Sequence, residues 1–107
     1  MEYIEALGAL IEVAPDSTVS RTVLKAEGAR VVLFAFAAGQ ELSEHTAAVP
    51  ILLQVIDGHL RVGADGEHVN LSPGGLVHIG ASVAHEILAL QPSRMILTML
   101  DPRTATN

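Results

Sequence analysis

The chain has no cysteine and no tryptophan among its 107 residues. Without thiols there is no disulfide framework, no thiolate nucleophile and no Cys-ligated zinc or iron–sulfur site. Aromatic side chains are nearly as scarce, with Tyr3, Phe34 and Phe36 the only three. The core must therefore be built from Val, Leu, Ile and Ala, and the stacking platforms used by single-stranded nucleic-acid binders are missing. Six basic residues face twelve acidic ones, for a formal net charge of -6. The six are scattered, so no positive patch offsets repulsion from a phosphate backbone and nucleic-acid binding is not expected. No run of about 18 apolar residues occurs, so no membrane span is expected either. Met1-Glu2-Tyr3 lacks the basic start of a secretory signal, which makes the cytoplasm the expected compartment.

Half of the residues are apolar, enough for one real core in a chain near the commonest domain size. The expectation is a single domain over 1–107, with a core of about 18–100, a lead-in over 1–17 and a frayed tail over 101–107. A core this small is only moderately stable alone, so a homodimer is expected. In residues 3–12, Tyr3, Ile4, Leu7, Leu10 and Ile11 recur at helical spacing, while Gly8 weakens it. That segment reads as a short helix or an irregular strand.

From Thr18 onward the pattern is β. Strand-like runs cover 18–24, 30–37, 50–57, 59–63, 67–71, 76–79, 84–90 and 94–100, with turn signals between them. Asp57-Gly58 reads as a hairpin signal, and Ala64-Asp65-Gly66 and Ser72-Pro73-Gly74-Gly75 as turns. Many short strands at this spacing predict an all-β sandwich or barrel. An antiparallel jelly roll is the natural closure, because it leaves few exposed edges.

Two histidines sit within glycine-bounded segments. Gly39 precedes His45, and Gly58 closes that stretch after a long strand; Gly74 begins a second stretch that runs through Ile79 to His85. Glu44-His45-Thr46 and Gln54-Val55-Ile56-Asp57-Gly58 add to the pattern. Over roughly residues 30 to 100 the sequence resembles the two motifs of the cupin family, in particular small single-domain cupins. The resemblance implies a double-stranded β-helix, or jelly-roll barrel, with a pocket that in many members clamps a divalent metal. It also marks departures. Ala47 stands where the family usually has a second histidine, Ile51 where it has a ligating glutamate, and Gly80 and Ser82 where it has Pro and Gly.

On this reading His45 and His85 are the candidate metal ligands, with Gln54 as a third donor if a bulge near Pro50 turns it inward. His78, Ala47 and Ile51 are candidate pocket residues. Manganese, iron, nickel, zinc or copper would suit imidazole donors in varying degree, yet catalytic sites usually draw three ligands from the protein. His59 and His68 read as ordinary surface histidines, Met95 and Met99 as core or pocket wall, and Glu41, Glu44, Asp65 and Glu67 as solvated charges. The pattern implies a His-containing pocket for a divalent metal, a small molecule or both; the alternative is a metal-free ligand-binding or sensing domain. Fold alone selects no reaction, so whether the chain is an enzyme stays open.

Overall fold

The computed structural model describes residues 1–101; most of the tail expected to fray lies outside the described residues. Nine strands follow one short turn of helix: β1 (Thr18–Ala26), β2 (Ala29–Phe36), β3 (Glu41–His45), β4 (Ile51–Asp57), β5 (Leu60–Ala64), β6 (Glu67–Leu71), β7 (Leu76–Ile79), β8 (His85–Ala89) and β9 (Ser93–Leu100). They form a five-stranded sheet in the order β1-β2-β9-β4-β7 and a four-stranded sheet in the order β3-β8-β5-β6, all pairings antiparallel. This is the jelly roll the sequence predicts.

Period-two burial shows how the sequence makes these layers. In β4, Ile51, Leu53 and Val55 are buried while Gln54 is exposed. The inner faces of both sheets meet in one core of Phe36, Ile51, Leu53, Val55, Leu60, Val62, Leu71, Ile79, Ile87, Ala89 and Met95. Met95 is core, and Met99 packs against it.

The outer face of the five-stranded sheet is also partly apolar, because the lead-in covers it. Leu7, Leu10 and Ile11 pack on Leu33, Ala35, Val19, Val23, Ile56 and Ile96. The lead-in is not a helix of useful length but a four-residue 3-10 turn, Leu7–Leu10. The helical spacing was therefore a poor guide here. What orders the segment is the sheet beneath it and Arg94, whose guanidinium donates to the carbonyls of Gly8 and Ile11. A Cβ at position 8 would stand 3.2 Å from the Arg94 guanidinium, so Gly8 is the residue that lets the cation approach.

Two sequence readings need correction in the connections. Asp57-Gly58 makes no hairpin: β4 and β5 belong to different sheets, and the pair forms the corner where the chain crosses between them. Gly58 has φ +90, and a Cβ there would meet Ser93 Oγ at 2.2 Å and the Pro92 carbonyl at 2.4 Å. Glycine is required both by conformation and by space. The Asp-Gly hairpin is instead Asp65-Gly66, joining β5 to β6 with both residues at positive φ, 53 and 74. Those are the signs of a type I′ turn, whose twist suits paired strands. In addition, β3 was not expected as a strand. It is a polar edge strand in which only Leu42 packs on the core.

Candidate functional site

His45 ends β3 and His85 begins β8, and the two are direct cross-strand partners. Their rings lie 4.3 Å apart between centroids, tilted by 59°. His85 is 2% exposed and shares its face with the buried Ile87 and Ala89, so it points into the barrel. His45 is exposed, at the barrel mouth.

A bulge makes this meeting possible. Leu42 pairs with Ile87 and His45 with His85, so three steps along β3 match two along β8. In a regular strand, Leu42 and His45 would point to opposite faces. The extra residue between them restores the parity, so both face inward.

Each ring is then fixed by its own backbone. His45 Nδ1 lies 2.7 Å from the Ser43 carbonyl and His85 Nδ1 lies 2.9 Å from the Val83 carbonyl. A carbonyl oxygen only accepts, so each Nδ1 carries the hydrogen and donates it. In the neutral ring Nε2 is left as a bare lone pair. No buried side-chain nitrogen or oxygen among the described residues lacks a partner. The Nε2 of His85 has none, so it must open onto solvent-accessible space.

The loops that carry the pair are tied to each other. The Ser82 amide donates to the Ala47 carbonyl at 2.8 Å, joining the β7–β8 loop to the β3–β4 loop. Ser82 has φ 63, the left-handed region, at a position where the cupin motif carries glycine. Holding a residue with a Cβ there costs about 1 kcal/mol. Ala47 packs against the core, and Ile51 is 1% exposed within it. Neither can donate to an ion.

The other sequence candidates lie elsewhere. Gln54 is exposed on the outer face of the five-stranded sheet, opposite Leu76 and Ile96. No register shift separates it from Ile51; the bulge of β4 falls later, between Val55 and Asp57. Gln54 is therefore not a third donor. His78 is exposed, between Val77 and Ile79, which face the core; it pairs with Leu52 and borders a cleft between the sheets with Val62, Val69 and Glu67. It is not part of the imidazole pair. His59 lies at the far corner, with its backbone amide donating to Ser93 Oγ at 2.9 Å.

His68 does have a partner that the sequence did not reveal. From β6 it reaches across Gly63 on the outer face of the four-stranded sheet to Glu86 of β8, with Nε2 3.3 Å from Oε1. A Cβ at Gly63 would stand 2.8 Å from that oxygen, so the glycine leaves room for the contact. The contact is half-exposed at both ends and is worth little to stability.

A resident divalent ion would take three or more donors from the protein. Here the pair supplies two, the family's other ligand positions are Ala47 and Ile51, and no group of three His, Asp or Glu among the described residues could hold a metal. The donor set does not fit a tightly held divalent ion.

No family model matches the chain and no curated protein matches it. Solved structures do match. A cupin superfamily protein from Desulfitobacterium hafniense superposes with a TM-score of 0.84 at 23% identity, over 94% of this chain and 93% of that one. The chain has the cupin fold. A conserved protein of unknown function from Streptococcus pyogenes matches with a TM-score of 0.83 at 20% identity, over 95% of this chain and 91% of that one. KdgF from Halomonas sp. matches with a TM-score of 0.74 at 25% identity, over 84% and 85%. Among the described residues, no helix of this cupin-fold chain is long and apolar enough to cross a membrane.

Proposed function

We propose that this cupin-fold protein binds a small organic molecule at the barrel mouth, with Nε2 of His45 and Nε2 of His85 as its polar anchors and no resident metal. One observation carries the reading: both Nδ1 atoms are committed to backbone carbonyls, leaving two bare Nε2 atoms on rings 4.3 Å apart. Pockets of this kind combine an apolar wall with a few convergent polar groups. Ala47 and Val83, each two residues along the chain from one of the histidines, pack against the apolar core. KdgF and a salicylate 1,2-dioxygenase share the fold, so it accommodates enzymes. Among the described residues no group of three His, Asp or Glu could hold a metal, which supports the metal-free reading.

The test is elemental analysis joined to a thermal-shift screen. Protein exposed to manganese, iron, nickel, zinc and copper and then desalted is expected to hold less than stoichiometric metal. In a fragment screen, some compounds should raise the melting temperature of the wild type and not of His45→Ala, since a ligand that binds only the folded state stabilises it. Stoichiometric metal that disappears in His45→Ala would overturn the metal-free reading.

We also propose that the protein works as a homodimer. Beyond the reach of the lead-in, the outer face of the five-stranded sheet presents Val31, Thr98 and Leu52 in one cross-strand row without a charged side chain, beside Leu76 at 57% exposed. Two copies of a chain with net charge -6 can meet there without opposing acids. Sedimentation of wild type and Leu52→Glu should give dimer and monomer respectively; a monomeric wild type at high micromolar concentration would refute it.

A further inference from the structure

We infer that the small molecule taken at the barrel mouth carries a carboxylate, and that Lys25 and Arg30 hold it. The inference deepens the small-molecule reading above and rests on it. The six basic residues are scattered along the sequence, but the five-stranded sheet brings two of them together. Lys25 of β1 and Arg30 of β2 are direct cross-strand partners.

Their face follows from the register. Arg30 pairs with Met99, and Met99 with Ile51. Ile51 is core and Met99 packs against it, so this row lies on the inner face of the sheet. Lys25 joins the row through a bulge. Three steps from Thr22 to Lys25 on β1 match two from Val32 to Arg30 on β2. In a regular strand Thr22 and Lys25 would point to opposite faces, and the extra residue restores the parity. The bulge in β3 does the same for His45. Both sheets thus use a bulge to turn a polar side chain inward at this end of the barrel. Backbone bonds tie the rim together: the Ser82 amide donates to the Ala47 carbonyl, the Leu100 amide to Pro50 and the Asp101 amide to Gly28.

The electrostatics of the pair point to an anion. Neither cation forms an ion pair with a described residue. Like charges directly opposite each other repel. Both side chains are exposed, so water and salt weaken this repulsion without reversing it. The carboxylates of β3 give no relief, because Glu41 and Glu44 border clefts on the outer face of the four-stranded sheet with Glu86. An oxyanion between the two cations would remove the repulsion. The planar guanidinium of Arg30 matches the two oxygens of a carboxylate. Thr22, on the same inner face, adds a hydroxyl donor. Val32, Leu97 and Met99 supply an apolar wall beside it. That wall suits an organic acid with a small apolar body and would go unused by inorganic phosphate.

Titrations of 15N-labelled protein at low salt, with EDTA present, test this. Benzoate and cyclohexanecarboxylate are the carboxylate probes. Benzamide keeps the shape of benzoate without its charge, and inorganic phosphate is the other anion. The carboxylates are expected to shift the Arg30 Nε–H signal and the nearby amides of β1 and β2 saturably. Benzamide and phosphate should bind at least roughly tenfold more weakly. Arg30→Gln should weaken carboxylate binding about tenfold and Lys25→Gln about threefold. Arg61→Gln removes an exposed cation from the outer face of the other sheet and should leave binding unchanged. All three positions are exposed, so the variants are expected to fold.

Benzamide or phosphate binding as tightly as the carboxylates would overturn the inference. So would an equal loss in Arg61→Gln, or no saturable shift with either carboxylate. His45→Ala separates this inference from the broader reading. If carboxylates need Arg30 and bind His45→Ala as well as wild type, the carboxylate site stands and the histidines are not anchors. If fragments bind in a His45-dependent way that ignores Arg30→Gln, the carboxylate inference fails and the small-molecule reading stands.

Discussion

The two ends of the barrel use polar groups in opposite ways. At the corner end, Gly58 lies against Ser93 and Pro92, and Ser93 is fully buried with its Oγ accepting from the His59 amide and donating to the Gln91 carbonyl at 2.8 Å. Beside it, Arg94 grips Asp57 through Nε and a second nitrogen, the shortest contact being 2.6 Å, and also holds the lead-in. No buried side-chain nitrogen or oxygen there lacks a partner. At the mouth, the imidazole pair is held as firmly, yet two ring nitrogens are left without partners. Both ends are built on bulges and glycine-bounded turns; only one keeps spare hydrogen-bonding capacity. That capacity, more than the fold, marks where a ligand can act.

The contrast can be tested by substitutions ranked by expected effect. Gly58→Ala should be the most damaging, because it adds left-handed strain to a collision with backbone. A loss of about 3 kcal/mol or more is expected in urea unfolding. A loss under 1 kcal/mol would show that the corner is looser than its contacts imply. Arg94→Ala should cost about 1–3 kcal/mol by removing charge-assisted hydrogen bonds. It should also raise amide exchange selectively in residues 7–11, and an unchanged exchange pattern there would show that apolar packing alone holds the lead-in.

The same clamp sets a pH dependence. The bonded Arg94 guanidinium holds the Asp57 carboxyl below the usual carboxylate range, against a smaller opposing effect of desolvation. A carboxyl depressed in the folded state adds stability that is complete above its unfolded value near 4 and is lost as pH falls through the folded value. Wild type should therefore melt above Asp57→Asn at pH 7, and the gap should shrink steadily below pH 4. Because Asp57 is half-exposed, the gap is expected to be modest. A gap that persists at pH 2 would mean that the carboxylate is not its source.

At the mouth the effects on stability should be small. His45→Ala is expected to change unfolding free energy by under about 1 kcal/mol, since the side chain is exposed, while ligand binding is lost. Ser82→Gly should leave stability unchanged or raise it by roughly 0.5 kcal/mol by relieving the left-handed serine. A marked loss would show that the Ser82 side chain makes a contribution of its own.

Much of this was legible in the residues, and the failures have physical causes. Apolar or β-branched runs bounded by turn signals marked eight of nine strands. The missing one, Glu41–His45, has a single apolar residue, Leu42, so it carries little of that signal. Pairing His45 with His85 came from the resemblance of their glycine-bounded segments to the two cupin motifs. The bulge that turns His45 inward was invisible, because a register shift exists only relative to a partner strand. The sequence reading put such a shift before Gln54, where strict alternation in fact continues and leaves the amide outside. Asp57-Gly58 and Asp65-Gly66 have the same composition; only contact with Ser93 distinguishes a corner from a hairpin. The bridge from His68 to Glu86 depends on a side chain that Gly63 lacks, an absence no motif encodes.

The spacing from Leu42 to His45 has a consequence for how such a site can be gained or lost. Ser43 and Glu44 are free to vary in chemistry, since neither side chain touches the core, but not in number. Deleting either one would rotate the imidazole to the outer wall with every other residue still in place. A relative could thus keep each pocket residue and be blind to the ligand, and a single-codon insertion could restore its sight.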